Sequence, residues 1–272
     1  MITCISYGDR KYYNAAKFNL ETAKMHGADR TILYGQKDLP LSFKLKNWCI
    51  YYRIHFPGIR PVWRGAGYWI WKSYIILKTL ENMNDGDYLL YSDGGSVYVN
   101  DIQYLIDVLN RDKLNYMVFT TLQIEKNYSK RDAFILLDAD SPEYTDSIQR
   151  LGGFWVIKKC AESISFVSEW QKACLDPRII SDSPNKLGKD NYPGFVENRH
   201  DQTALSLIAK KHHFPEYRDP SQWGNNTDEW NKEILDRSTY PQIWYCTRNP
   251  EIDSMEIFKE NVPDPFVNPY EE

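Results

Sequence analysis

The sequence predicts an α/β fold, a mostly parallel central sheet flanked by helices with a C-terminal extension, and three observations predict it. Short apolar runs bounded by turn residues alternate with stretches of helical period, which implies parallel strands joined by crossover helices. A length of 272 residues suits one large core domain with attachments. The apolar run Tyr88–Tyr91 ends directly on the Asp93 loop, at the strand edge where open α/β sheets bind ligands.

Ile2–Tyr7, closed by Gly8 and Asp9, reads as a buried first strand. From Lys11 to His26, Ala16, Leu20 and Ala23 recur at helical spacing, and Gly27 stands where a C-terminal cap belongs. Thr31–Tyr34 is the second strand. Leu45, Trp48, Cys49 and Tyr52 share one face of a further helix that Pro57 and Gly58 end, and a polar, aromatic loop runs from Arg60 to Gly67. Trp69, Ser73, Ile76, Leu77 and Leu80 line the next helix, and the turn Asn84–Asp87 leads into the strand that reaches Asp93. Asn100 or Asp101 caps a helix carrying Ile102, Leu105, Ile106 and Leu109, and Tyr116–Thr120 follows as a strand.

Residues 122–150 are charged and fit no period. Gly152 and Gly153 lead into a strand at Phe154–Ile157, and a helix runs from Glu162 to Cys174. Leu175–Asn198 is a loop of the length that marks a lid or binding element. A helix opens at His200-Asp201-Gln202 and ends near Lys211. Beyond His213 the pattern weakens into a polar tail, in which Tyr240–Arg248 is apolar enough to fold back over the core and close a site.

Acidic and basic residues nearly balance, at a net charge of −4, without the sustained basic stripe that a phosphate backbone requires, so nucleic acid is not an expected partner. Five scattered cysteines with no Cys-x-x-Cys pair suit a reduced compartment, and the expected location is cytoplasmic. The first residues lack the basic start and long apolar stretch of a secretory signal. No window approaches the roughly 20 apolar residues that span a bilayer, so any membrane contact is expected to be peripheral. Aromatic residues make up 15% of the chain; they suit stacking on sugar rings and equally suit filling a large core.

Asp93, at the end of a buried strand, is placed to coordinate a divalent cation bridging two phosphates, or merely to open a turn. Gly94 and Gly95 beside it allow close backbone approach to a ligand. Lys72 is a basic residue on the preceding helix, and Asp201 stands where a carboxylate commonly caps a helix. His200 is a secondary metal candidate, and Gly153 precedes a strand as either a bulge or a point of close approach.

Tyr-Ser-Asp93-Gly-Gly-Ser-Val-Tyr-Val-Asn-Asp resembles the Asp-x-Asp region of GT-A glycosyltransferases, in particular the glycogenin-like and lipopolysaccharide galactosyltransferase group. With Gly67-Tyr-Trp-Ile-Trp-Lys72-Ser-Tyr and Arg199-His-Asp-Gln-Thr-Ala-Leu-Ser it also looks like capsular-polysaccharide-type and large-virus glycosyltransferases. The resemblance spans residues 1–225, a GT-A-like, Rossmann-like catalytic domain, and leaves 226–272 as an extension packing on the core. It implies a hexosyltransferase of polysaccharide biosynthesis that uses a nucleoside diphosphate sugar, with uridine the expected base, a glycan or glycoconjugate acceptor, and Mn²⁺ or Mg²⁺.

By the same resemblance Asp201 and Gln202 are catalytic. Ser6, Tyr7, Gly8 and Asp9 hold base and ribose, with Tyr7 stacking on the base. Lys72, Ser92, Asp93, Gly94, Gly95 and Gly153 surround the donor, and Arg64, Arg248 or Arg60 neutralises the diphosphate. Gly95 stands where the family has its second aspartate, leaving Asp93 on the metal alone or with a partner such as His200. The lean is towards retention of anomeric configuration. The alternatives are a non-catalytic nucleotide-sugar or glycan-binding module and a sugar nucleotidyltransferase.

Overall fold

The computed structural model describes residues 1–55, 58–62 and 64–262, the side chains of 53–60 excepted. Nine strands are described: β1 (Ile2–Tyr7), β2 (Arg30–Tyr34), β3 (Tyr52–His55), β4 (Gly58–Pro61), β5 (Tyr88–Ser92), β6 (Ser96–Tyr98), β7 (Tyr116–Ile124), β8 (Ile148–Lys158) and β9 (Trp244–Cys246). The longer helices are α1 (Tyr13–Met25), α2 (Ile70–Glu81), α3 (Gln103–Arg111), α4 (Ala161–Cys174) and α5 (Asp201–Lys211). The central sheet has the order β2-β1-β5-β8-β7. β2, β1 and β5 pair in parallel, whereas β8 lies antiparallel to both β5 and β7. Four strands therefore share one direction and β8 alone is reversed, which gives the α/β class with a mostly parallel sheet that the sequence predicts.

Alternate side chains of a strand point to opposite faces, and both faces here are apolar because both are covered. Ile5, Leu89, Tyr91, Val118, Trp155 and Ile157 meet α2, α4 and α5 on one side. Cys4, Leu90, Met117, Phe119, Phe154 and Val156 meet α1 and α3 on the other. The tail completes that second layer: β9 pairs with β6, and Trp244 stacks on Phe154 at 4.4 Å.

Two elements depart from the pattern. The helix expected around Leu45–Tyr52 is two short helical turns, Leu41–Lys46 and Trp48–Tyr51, and Tyr52 already belongs to β3. Its apolar face is not the buried one. Phe43, Tyr51 and the fully buried Ile50 point inward, while Leu45, Trp48 and Tyr52 are exposed. The segment is apolar on both sides, so spacing alone chooses the wrong one.

Residues 122–150 supply the ends of β7 and β8 and three short helical turns between them. No apolar period marks this stretch because its interior is polar. Glu125, wholly buried, accepts from Ser129 at 2.5 Å, Gln149 at 2.9 Å and Lys210 at 2.6 Å, and also from Ser206. Each charge has a partner, as a buried ion requires.

The loop from 175 to 198 is fastened at many points. Asp132 accepts from the backbone of Lys186 and Leu187, Lys130 donates to the Ser183 carbonyl, and Asn198 donates to the Ile179 carbonyl. It forms a fixed wall of the molecule.

Candidate active site

β5 runs out on Asp93, whose backbone N–H donates to the Gly153 carbonyl at 3.0 Å and whose carbonyl accepts from Ser96. The loop is thus rigid on both sides of the carboxylate. Oδ1 accepts from the Tyr91 hydroxyl at 2.6 Å and lies 3.2 Å from Lys72 Nζ. Oδ2 takes no partner among the described residues, and the side chain is 47% exposed.

Lys72 is the hub. It projects from the first turn of α2, is only 3% exposed, and places Nζ 2.9 Å from Asp201 Oδ2 and 3.2 Å from Asp93 Oδ1 while donating to the Gly152 carbonyl at 3.1 Å. Burial by itself would depress this ammonium, but the two carboxylates outweigh it and hold the group above its ordinary value. Asp201 opens α5, with its own carbonyl accepting from Trp170 Nε1 at 3.0 Å. Its carboxyl is pushed up to about 6 by burial, against the pull of Lys72.

A folded carboxyl that keeps its proton to about pH 6, where the unfolded one releases it near 3.8, favours folding in its neutral form. That contribution is complete below about pH 4 and is lost as pH rises to about 6, a loss on the order of 3 kcal/mol. Urea unfolding across this interval is therefore expected to show stability falling with rising pH. Asp201→Asn should flatten the fall.

Gly152 joins the two halves of the site. A Cβ there would stand 3.0 Å from the Gln202 Cβ and 3.5 Å from Asp201 Oδ2, so β8 and α5 touch at a point with no room for a side chain. Gly152→Ala is expected to cost about 1–3 kcal/mol and to displace Asp201 from Lys72. An unchanged denaturation midpoint would show that this contact yields.

Several residues expected to touch a donor do something else. Tyr7 offers no face to a base: it is 6% exposed, and its ring stacks on Trp71 at 3.7 Å. Ser6 and Ser92 are fully buried, Ser6 donating to the Ser92 carbonyl and Ser92 to Asn19, so they tie β1, β5 and α1 together. Gly94 faces α1 rather than a ligand, since a Cβ there would lie 2.8 Å from that of Ala16. Gly8 packs against the same alanine, and Asp9 beside it is partly exposed.

Gln202 turns inward, accepting from the Gly152 N–H at 2.9 Å and donating to Gln149 at 2.7 Å. His200 is seated away from Asp93: Nδ1 meets the Ile180 carbonyl at 2.7 Å, Nε2 lies 3.7 Å from Asp182, and the ring stacks on Tyr68 and Trp69. Burial lowers it to about 4, so it is neutral. Among the described residues no group of three His, Cys, Asp or Glu side chains is arranged to hold a metal.

Of the basic candidates, Arg64 is engaged by Glu197 at 2.6 Å, with Asp182 at 3.9 Å, and Arg60 falls outside the described side chains. Arg248 is the one beside the Asp93 loop. Its N–H donates to the Gly95 carbonyl, the Tyr12 hydroxyl donates to its carbonyl, and its guanidinium lies over the exposed Trp223 at 5.7 Å. A Cβ at Gly95 would crowd the Arg248 Cα at 3.3 Å, and one at Gly153 would meet Asp93 Oδ2 at 3.2 Å.

Tyr91 and Gln149 were not anticipated. Tyr91, two residues before Asp93 on one strand face, is legible from the period of two. Gln149, which connects Gln202 to Glu125, lies in the stretch without a pattern.

No protein-family model and no curated protein matches the chain. Among solved structures it is similar to apo mouse xyloside xylosyltransferase 1, at 10% identity over 90% of this chain and 96% of that one, with a TM-score of 0.45. It is also similar to the apo WbbM bifunctional glycosyltransferase, at 11% identity over 90% of this chain and 45% of that one, with a TM-score of 0.46. Both likenesses are too distant to assign an activity, and the functional conclusion rests on the site.

Proposed function

We propose that this chain is a hexosyltransferase that moves a sugar from a nucleoside diphosphate sugar, with uridine as the base, to a glycan or glycoconjugate acceptor. The observation that carries the reading is the buried ammonium of Lys72, shared between the two carboxylates Asp93 and Asp201. Buried ions add little to stability and cost much to desolvate, so a triad of this kind at a sheet edge speaks for chemistry. A purely glycan-binding module has no need of it.

In this reading Asp201 is the reacting carboxylate. Ionised, it stabilises positive charge at the anomeric carbon, or accepts the proton of the acceptor hydroxyl. Lys72 keeps it ionised near neutral pH and orients it against the Gly152 carbonyl. Activity is expected to rise as pH passes through about 6, the value to which burial raises Asp201. Arg248 supplies positive charge to the departing diphosphate.

Mn²⁺ or Mg²⁺ would be held by Asp93 through Oδ2, which takes no partner among the described residues, on a side chain that is 47% exposed. These ions accept few protein ligands and complete their shell with phosphate oxygens and water. When bound, the cation neutralises the leaving diphosphate.

Isothermal titration with uridine diphosphate, with and without Mn²⁺, tests the reading, followed by donor hydrolysis across uridine, guanosine and thymidine diphosphate sugars. Binding that strengthens with Mn²⁺ and hydrolysis of one donor class are the expected results. No nucleotide binding in either condition would sink the proposal. Product anomers read by NMR decide between retention, the expected outcome, and inversion.

A further inference from the structure

The segment that precedes the Lys72 helix is apolar on two opposite sides, and only one side is covered. Phe43, Ile50 and Tyr51 face the body of the protein, where Phe43 meets Tyr74 at 4.5 Å and Tyr51 at 6.4 Å. Leu41, Leu45, Trp48 and Tyr52, offset by two residues, recur at i, i+4, i+7 and i+11, and all are exposed, at 70%, 62%, 36% and 40%. Two isolated leucines on a surface need no explanation, but two leucines, a tryptophan and a tyrosine exposed along one 12-residue segment do.

The charge around the stripe identifies the cover. The chain as a whole is acidic, at −4, yet from Leu39 to Leu80 it contains no Asp or Glu, while Lys44 and Lys46 fall between the exposed Leu41 and Trp48. Lys46 is exposed and makes no ion pair among the described residues, and Lys44 donates to the Gln36 carbonyl rather than to a carboxylate. Aliphatic and indole side chains beside lysines, with no acid among them, is the composition of a surface segment lying in the headgroup region of an anionic bilayer. Trp48 and Tyr52, stacked at 6.2 Å, are the amphipathic rings that favour that depth.

We propose that the outward face of residues 41–52 docks the protein peripherally on an anionic phospholipid leaflet. Leu41, Leu45 and Trp48 enter the acyl boundary, and the lysines lie at headgroup level. Among the described residues no helix is long and apolar enough to cross a membrane, so the contact is one of surface lying. The inner side of the same segment packs on the turn leading to Lys72: the Tyr51 carbonyl accepts from the Val62 N–H, and a Cβ at Gly67 would stand 2.7 Å from the Tyr51 ring. Docking would thus hold the candidate site near the lipid surface. The inference stands independently of the transferase reading.

Co-sedimentation with vesicles of phosphatidylcholine alone and of phosphatidylcholine with phosphatidylglycerol tests it. The wild-type chain is expected to sediment with the anionic vesicles and not with the neutral ones, with release at high salt. Leu41→Glu/Leu45→Glu should weaken that binding by a factor of ten or more, and Lys44→Gln/Lys46→Gln should weaken it and reduce its salt dependence. All four side chains lie outside the core, so unchanged near-ultraviolet circular dichroism is the control for folding. No binding to either vesicle, or equal binding by the glutamate variant, overturns the proposal. So does sedimentation velocity showing a wild-type dimer that the glutamate variant dissolves without any vesicle binding, which would make the stripe a contact between copies of this chain.

Discussion

Lys72→Met is expected to lower stability by about 3–5 kcal/mol at pH 8, because it strands the ionised Asp201 in a buried position with its counter-charge gone. The loss is not a packing defect, since methionine nearly preserves the volume and stem of lysine. It should therefore depend on pH. With the ammonium removed, Asp201 binds its proton more tightly still, so below about pH 5 the carboxyl is neutral and most of the penalty disappears. Urea denaturation of wild type and variant at pH 8 and pH 5 measures the difference. An equal loss at both values would mean that Lys72 contributes contacts rather than charge, and the coupling of the two carboxylates through it would have to be abandoned. Activity should fall at every pH, because Asp201 loses both its orientation and its ionised state in the working range.

Asp93→Asn isolates the other end of the same triad. The amide keeps the shape and accepts from Tyr91 through its oxygen, but it cannot offer a charged oxygen to a cation. Because the carboxylate is 47% exposed, the stability cost is expected to stay within about 1 kcal/mol. Mn²⁺-dependent donor hydrolysis is expected to fall by about 10²-fold or more, the scale of losing one electrostatic stabiliser of a departing group. Hydrolysis unchanged at saturating Mn²⁺ would remove Asp93 from the cation site. Together the two variants separate a stability effect centred on Asp201 from a ligand effect centred on Asp93.

The strand-end position of Asp93 and the helix-start position of Asp201 are visible in sequence because turn and cap residues punctuate the chain there. Joining them to Lys72 took a resemblance to known blocks. No spacing rule announces that a helix lysine is buried, and most lysines are not. Tyr7 shows the opposite failure. Its place at a strand exit suggests a ligand platform, but Trp71, far away in sequence, covers the ring, and tertiary stacking leaves no trace in local pattern. Glu125, Gln149 and Lys210 were hidden for a similar reason: a polar interior breaks the apolar period on which strand assignment depends. The Leu45–Tyr52 face misled because apolar character there marks an outer surface as well as an inner one.

His200 adds a different kind of information. Its φ of +56° lies in the left-handed region that a β-carbon disfavours, and Gly65 to Trp69, whose rings it meets, all carry positive φ as well. Strain held in two contacting segments next to Lys72 and Asp201 is of the kind that functional sites retain.

The reversed strand β8 has a bearing on how the chain acquires its site. β8 fills the gap between β5 and β7, and Gly152, the carbonyl that anchors Lys72, sits on it. Until β8 inserts, β5 and β7 present open edges, and insertion must close long stretches of chain on both sides. The nascent protein thus stays without its Lys72 anchor until synthesis has passed Gly152. A chain truncated ahead of Ile148 would expose two apolar strand edges and is a candidate for aggregation rather than for a smaller working domain.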